Sequence, residues 1–147
     1  MSDETSPAEF FTHDHRTCDA LWAQVEEAVE EGDGPGALEA FRFFDEALRR
    51  HLCMEEDELF PALERAGLPA QGPTAVMRHE HEQMRAILDR MRHHAAAQEH
   101  EDIADEGDTL LMLIQQHNAK EEGILYPMAD RLLGPAWPAL AARLDRY

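Results

Sequence analysis

A chain of 147 residues, 44% of them hydrophobic and 30% charged, has the size of one globular domain and can bury a core without disulfide or metal staples. Its 31 acidic residues against 13 basic ones give a formal net charge of -18, and the Lys and Arg residues form no patch, which excludes a nucleic-acid binder. No apolar run approaches the roughly 20 residues that span a bilayer, MSDETSPAEFF is not a secretory signal, and Cys18 and Cys53 form no disulfide framework, so no membrane partner and a cytoplasmic location are expected.

The first element opens at Ser6-Pro7-Ala8-Glu9, where Ser6 offers an N-cap, Pro7 the first helical position and Glu9 a capping-box partner. The stripe Phe11, His15, Cys18, Trp22, Val25, Val29 then advances by four and three residues, the spacing of one buried helix face. GDGPG at 32–36 breaks the chain, and a second helix carries Phe44, Leu48, His51, Glu55 and Leu59 on its stripe. Pro61 predicts a kink or an end just beyond Glu55. Gly72-Pro73 starts a third helix with the stripe Met77, His81, Met84, Leu88, Met91, Ala95, and QEHEDIADEG at 98–107 contains the next turn. The fourth helix places Leu110, Ile114, His117, Glu121 and Leu125 on one face before Pro127. Residues from Ala136 to Tyr147 read as a short terminal helix in which Trp137 and Leu140 pack on the end of the bundle.

These elements repeat. HLCMEEDELFP at 51–61 and HNAKEEGILYP at 117–127 share His, three residues, Glu-Glu, two residues, Leu, aromatic, Pro, and 117 - 51 = 66. The same offset takes THDHR at 12–16 onto RHEHE at 78–82, and Pro7, Pro61 and Pro69 onto Pro73, Pro127 and Pro135. The expected fold is all-α: an antiparallel four-helix bundle built from two 66-residue helical hairpins, about 7–66 and about 73–132, plus the short C-terminal helix, in a single domain over 1–147.

His and Glu four residues apart on a helix share a face and lie one turn apart. Two such pairs, His51 with Glu55 and His117 with Glu121, together with His15 and His81, place four imidazoles and two carboxylates on buried stripes. Burying carboxylates without compensation costs several kcal/mol each, so a chain that does so twice at equivalent positions calls for cations. Imidazole and carboxylate suit iron, manganese or zinc, and the lack of thiolate argues against a closed structural zinc site. The division that follows is His15 and His51 on one metal and His81 and His117 on the other, with both glutamates bridging. Glu56 and Glu122 stay open as alternative or additional ligands, because a residue five after a His can also face a bundle core. His13 and His79 are expected at the surface, about 200° round the helix from the core. His93, His94 and His100 are expected at a solvated helix end. Asp14 and Glu80 are expected to be solvated, with orientation of a neighbouring imidazole as their other role. Cys18 and Met84 should line the cavity wall by packing, with redox chemistry the lesser option for Cys18.

From about Phe10 to Leu133 the chain resembles the hemerythrin-like family of HHE cation-binding domains, through His15 and His81, each following an acidic residue, and the two HxxxEExx[LI][FY]P segments. The resemblance implies a left-handed four-helix bundle around a non-haem di-iron centre, two iron ions bridged by two carboxylates and an oxo or hydroxo species, with His15, His51, Glu55, His81, His117 and Glu121 as ligands. The Glu-x-x-His pairs of ferritin-like di-iron bundles are absent. One departure concerns function: oxygen-carrying hemerythrins have two histidines four apart on the third helix and His-x4-Asp on the fourth, whereas Met77 and Arg85 flank His81 here. That leaves both ions similarly open, so the resemblance points away from a dedicated reversible oxygen carrier. It implies a centre that binds or reacts with a small oxidant such as oxygen, peroxide or nitric oxide, with catalase-like peroxide decomposition as the activity if it is an enzyme. The alternative is a non-catalytic oxygen, nitric oxide or iron sensor or an iron-handling module with an undefined protein partner.

Overall fold

A computed structural model describes residues 6–147, and the described chain is helical with no strand. Helix α1 (Pro7–Glu30) is followed by α2 (Gly34–Met54), which passes through a π-helical turn, Glu55–Leu59, into α3 (Phe60–Arg65). The second half repeats this: α4 (Pro73–Ala96), α5 (His100–Lys120), a π turn at Glu121–Leu125, and α6 (Tyr126–Leu133). A 3₁₀ turn (Gly134–Ala136) leads into α7 (Trp137–Leu144). The boundaries of α1 and α2 recur at the same offset in α4 and α5, since 73 - 7 = 66 and 100 - 34 = 66.

Local chemistry sets the ends. Ser6 accepts a hydrogen bond from the Glu9 N–H at 3.2 Å, and Pro7 occupies the first turn of α1. The first connection is shorter than GDGPG suggests: Gly32 turns the chain at φ 73°, Asp33 caps α2 by accepting from the Gly36 N–H at 3.0 Å, and Gly34, Pro35 and Gly36 are already helical. The second turn falls at the very start of the 98–107 stretch, where Gln98 adopts φ 61° at the position equivalent to Gly32. Gly107 lies inside α5, and its missing Cβ makes room for Trp22: a Cβ there would sit 2.1 Å from the indole ring.

Neither Pro61 nor Pro127 ends its helix. Proline lacks an N–H and its ring clashes with the carbonyl four residues back. The ladder widens just before each one, with the Phe60 N–H bonding the Glu55 carbonyl and the Tyr126 N–H bonding the Glu121 carbonyl, five residues back. The helix then continues.

The four long helices bury two apolar clusters. One contains Trp22, Phe44, Leu48, Leu88, Met91 and Leu110; the other contains Phe11, Phe60, Met77, Leu125, Tyr126 and Trp137. α7 closes the second cluster with Trp137, Leu140 and Leu144. Asp45, buried on α2, accepts from Arg49 on the same helix at 2.8 Å and from Arg92 on α4 at 2.6 Å, and the second bond ties the two helices together. Among the described residues no helix is long and apolar enough to cross a membrane.

Candidate metal centre

Between the two clusters lies a layer of buried polar residues. On each helix the histidine is flanked by a residue of each cluster: Phe11 and Cys18 around His15, Leu48 and Met54 around His51, Met77 and Met84 around His81, and Ile114 and Leu125 around His117. Glu55 and Glu121 open the two π turns and are fully buried. All six sequence-selected residues therefore meet at one level.

They meet as two halves. The His15 and His51 ring centroids are 4.7 Å apart, and those of His81 and His117 are 4.9 Å apart. Each glutamate reaches across. Glu55 Oε1 lies 3.5 Å from His51 Nε2 and 3.1 Å from His81 Nε2. Glu121 Oε1 lies 3.0 Å from His15 Nε2, and its Oε2 lies 3.2 Å from His117 Nε2. Two groups able to hold a metal result, His15, His51, Glu55 and Glu121, and Glu55, His81, His117 and Glu121, with donor atoms in each group within 4.8 Å of one another.

A second ring of carboxylates orients the imidazoles. His15 Nδ1 donates to Glu122 at 2.8 Å, His51 Nδ1 to Asp14 at 2.7 Å, His81 Nδ1 to Glu56 at 2.6 Å and His117 Nδ1 to Glu80 at 2.8 Å. Basic side chains back three of these acids: Arg16 holds Glu122 at 2.9 Å, Arg85 holds Glu56 at 2.7 Å, and Lys120 pairs with Glu80. With each Nδ1–H directed outward, every Nε2 faces the inner carboxylates, and those of His81 and His117 also lie 3.2 Å apart. Glu56 and Glu122 thus serve as hydrogen-bond acceptors outside the imidazoles, and Asp14 and Glu80 are working parts of the layer rather than solvated acids.

The layer is electrostatically incomplete without positive charge. His51 Nε2, Glu55 Oε1 and Glu121 Oε2 are buried with no hydrogen-bond partner, although carboxylate and imidazole approach within ion-pair distance. Acceptor facing acceptor at about 3 Å needs a proton or a cation between. Burial opposes charge on His51 and His81, but Glu55 and Asp14 lift His51 well above the ordinary histidine range, and Glu55 and Glu56 raise His81 to about 9. Burial likewise opposes charge on Glu55, and His51 outweighs it, holding the carboxyl well below the usual carboxylate range. A proton on these Nε2 atoms and a metal ion would occupy the same positions. The donor set, four imidazole nitrogens with two carboxylates, fits a pair of transition-metal ions.

Tyr126, fully buried, brings its hydroxyl into the layer: Oη lies 2.6 Å from Glu55 Oε2, 2.9 Å from Glu121 Oε1 and 3.0 Å from His15 Nε2. Burial, Glu121 and Glu55 all push its ionisation well above the ordinary tyrosine range. The α-helical period misses this residue, because five residues beyond Glu121 amounts to roughly 500° of rotation, off the ligand face. The π turn restores it to that face. The available signal is the proline after the aromatic, which forces the ladder to widen. At the equivalent position Phe60 stacks on His81 with centroids 5.5 Å apart.

The remaining candidates lie outside the centre. His13, His79 and His93 are exposed. His94 bonds Glu99 at 3.0 Å, and the His100 ring lies beneath Gly34. Burial pushes the Cys18 thiol up to about 12, so it stays protonated and serves packing.

The hemerythrin HHE cation binding domain family matches residues 6–129, and the chain belongs to that family. No curated protein and no solved structure matches the chain. Membership agrees with an all-helical bundle whose buried His and Glu groups could hold a metal.

Proposed function

We propose that this protein holds two iron ions, one on His15 and His51 and one on His81 and His117, with Glu55 and Glu121 shared between them, and that the centre binds or reacts with a small oxidant such as oxygen, peroxide or nitric oxide. The observation that carries this reading is the pair of carboxylates, each spanning one histidine of either half, with their orphaned oxygens buried among inward-facing Nε2 atoms. The alternation of the two apolar clusters around each histidine supports an antiparallel bundle: the Phe60 cluster precedes the ligand in α1 and α4 and follows it in α2 and α5. Manganese or zinc would find the same donors. The two unpaired cysteines support a reducing, cytoplasmic setting.

When bound, the ions supply Lewis acidity and electron storage. The chain supplies the rest. Asp14, Glu56, Glu80 and Glu122 fix each imidazole in the tautomer that leaves Nε2 free for an ion. Phe11, Phe60, Cys18 and Met84 wall the layer off from bulk water, and Glu55 and Glu121 offset the positive charge inside it.

The test is metal analysis of the purified chain followed by mixing of its reduced, iron-loaded form with oxygen or peroxide. Two ions per chain and rapid reoxidation, accompanied by oxygen release from peroxide if the protein is an enzyme, are expected. Two ions that stay inert to both oxygen and peroxide would reduce the centre to a structural one.

A further inference from the structure

The geometry points to Tyr126 as an oxygen ligand of the ion held by His15 and His51, a donor that the first repeat lacks because Phe60 stands in its place. The inference rests on the dimetal reading above and concerns a position in the layer where one half carries an oxygen that the other lacks.

Tyr126 Oη lies 3.0 Å from His15 Nε2, 2.9 Å from Glu121 Oε1, the oxygen that faces His15, and 2.6 Å from Oε2 of the shared Glu55. A phenol carries a single hydrogen and can satisfy only one of them. At Glu55, the shortest contact, that hydrogen leaves the other two as contacts between lone pairs, unless a positive centre sits among them. Spacings near 3 Å between neighbouring donors are those of atoms sharing one ion at metal–ligand distances of about 2 Å. The hydroxyl thus lies where a ligand lies.

The helix fixes it there. Tyr126 is the first residue of α6, and its N–H closes the π turn on the carbonyl of Glu121, itself a proposed ligand. Phe11 packs on the Tyr126 ring with centroids 5.6 Å apart. On the other half the Phe60 ring stacks on His81 and offers no oxygen.

On coordination the Oη–H bond breaks, an Oη–metal bond forms, and the proton passes to solvent buffer. No electron moves. A bound cation makes this exchange favourable. The His15 and His51 ion then has five protein donors and the His81 and His117 ion four, so the near-symmetric repeat holds an asymmetric centre with its more open positions beside Phe60.

The test uses the full chain loaded with two equivalents of ferric iron, read by visible absorption and resonance Raman for phenolate-to-iron charge transfer. Wild type should show phenolate modes. Tyr126→Phe, which copies the residue at position 60, should keep two ions and lose the modes. Tyr147→Phe, which removes the only other tyrosine at an exposed site, should retain them and gives the assignment even if Tyr126→Phe folds poorly. Two bound ions without phenolate modes in wild type, or with modes that persist in Tyr126→Phe, overturn the ligand assignment and leave the dimetal reading standing. A wild type that binds no iron overturns both.

Discussion

Asp14 accepts the Nδ1–H of His51 at 2.7 Å although the two residues lie on different helices, α1 and α2. The link recurs between Glu80 on α4 and His117 on α5 at 2.8 Å. Each His15-type helix therefore both donates a ligand and orients the ligand of its hairpin partner. Asp14→Asn and Glu80→Gln should each lower metal affinity by roughly 10–100-fold at one ion while leaving the fold intact. Competition with a calibrated chelator measures this. Equal affinity in variant and wild type would show that Asp14 and Glu80 do not hold His51 and His117 for the ion, and His79→Ala, exposed on α4, supplies the neutral control.

Loss of a shared carboxylate should be felt on both sides. Glu55→Ala removes the oxygens that face His51 and His81, and Glu121→Ala those that face His15 and His117. Elemental analysis should find close to two ions per wild-type chain and almost none in either variant, whereas His15→Ala and His81→Ala should each deplete one ion preferentially. One ion retained in both glutamate variants would show that neither carboxylate is shared.

What was legible in the sequence was whatever obeys the α-helical period or the 66-residue repeat. The stripes Phe11 to Val25 and Met77 to Met91 are buried as the spacing predicts, and the six polar residues on the four stripes converge. Tyr126 was not legible because a π turn changes the period for one turn, and because a repeat that scores Phe60 and Tyr126 alike as aromatic conceals the hydroxyl. Asp14 and Glu80 are hard to read from the sequence because they sit one position before a ligand, off its face, and meet an imidazole on the next helix. The second hairpin turn was ill defined because Gln98 fills the left-handed position that Gly32 marks in the first.

That last contrast can be tested on stability. A non-glycine residue in the left-handed region costs about 1–2 kcal/mol, part of which glycine returns through the freedom of its unfolded chain. Gln98→Gly should therefore stabilise the protein by roughly 0.5–1 kcal/mol. Gly107→Ala should do the opposite, because its Cβ would overlap the Trp22 ring, and overpacking of this kind costs about 1–3 kcal/mol. Gly123→Ala, which has open space around it, is the matched control. Denaturant midpoints decide the matter: a Gly107→Ala protein as stable as the Gly123→Ala one would mean that Trp22 moves aside at no cost.

The pH dependence should invert when the metal is removed. In the chelated protein His81 has a folded-state pKa of about 9 against 6.5 for a free imidazole, because Glu55 and Glu56 outweigh its burial. His51 shifts in the same direction through Glu55 and Asp14. Between these values the folded state binds more protons than the unfolded state, so unfolding free energy falls as pH rises. The stabilisation is fully present below about 6.5 and lost as pH passes through 9. With metal bound, the ion replaces those protons, and acid must displace it to protonate Nε2. Stability of the loaded protein should therefore fall toward low pH, through loss of the ions. Thermal midpoints of loaded and chelated protein across pH 6 to 9 should diverge, with the advantage of the metal growing as pH rises. Parallel curves, or a chelated form that gains stability toward pH 9, would show that protons and metal do not compete for the same Nε2 atoms.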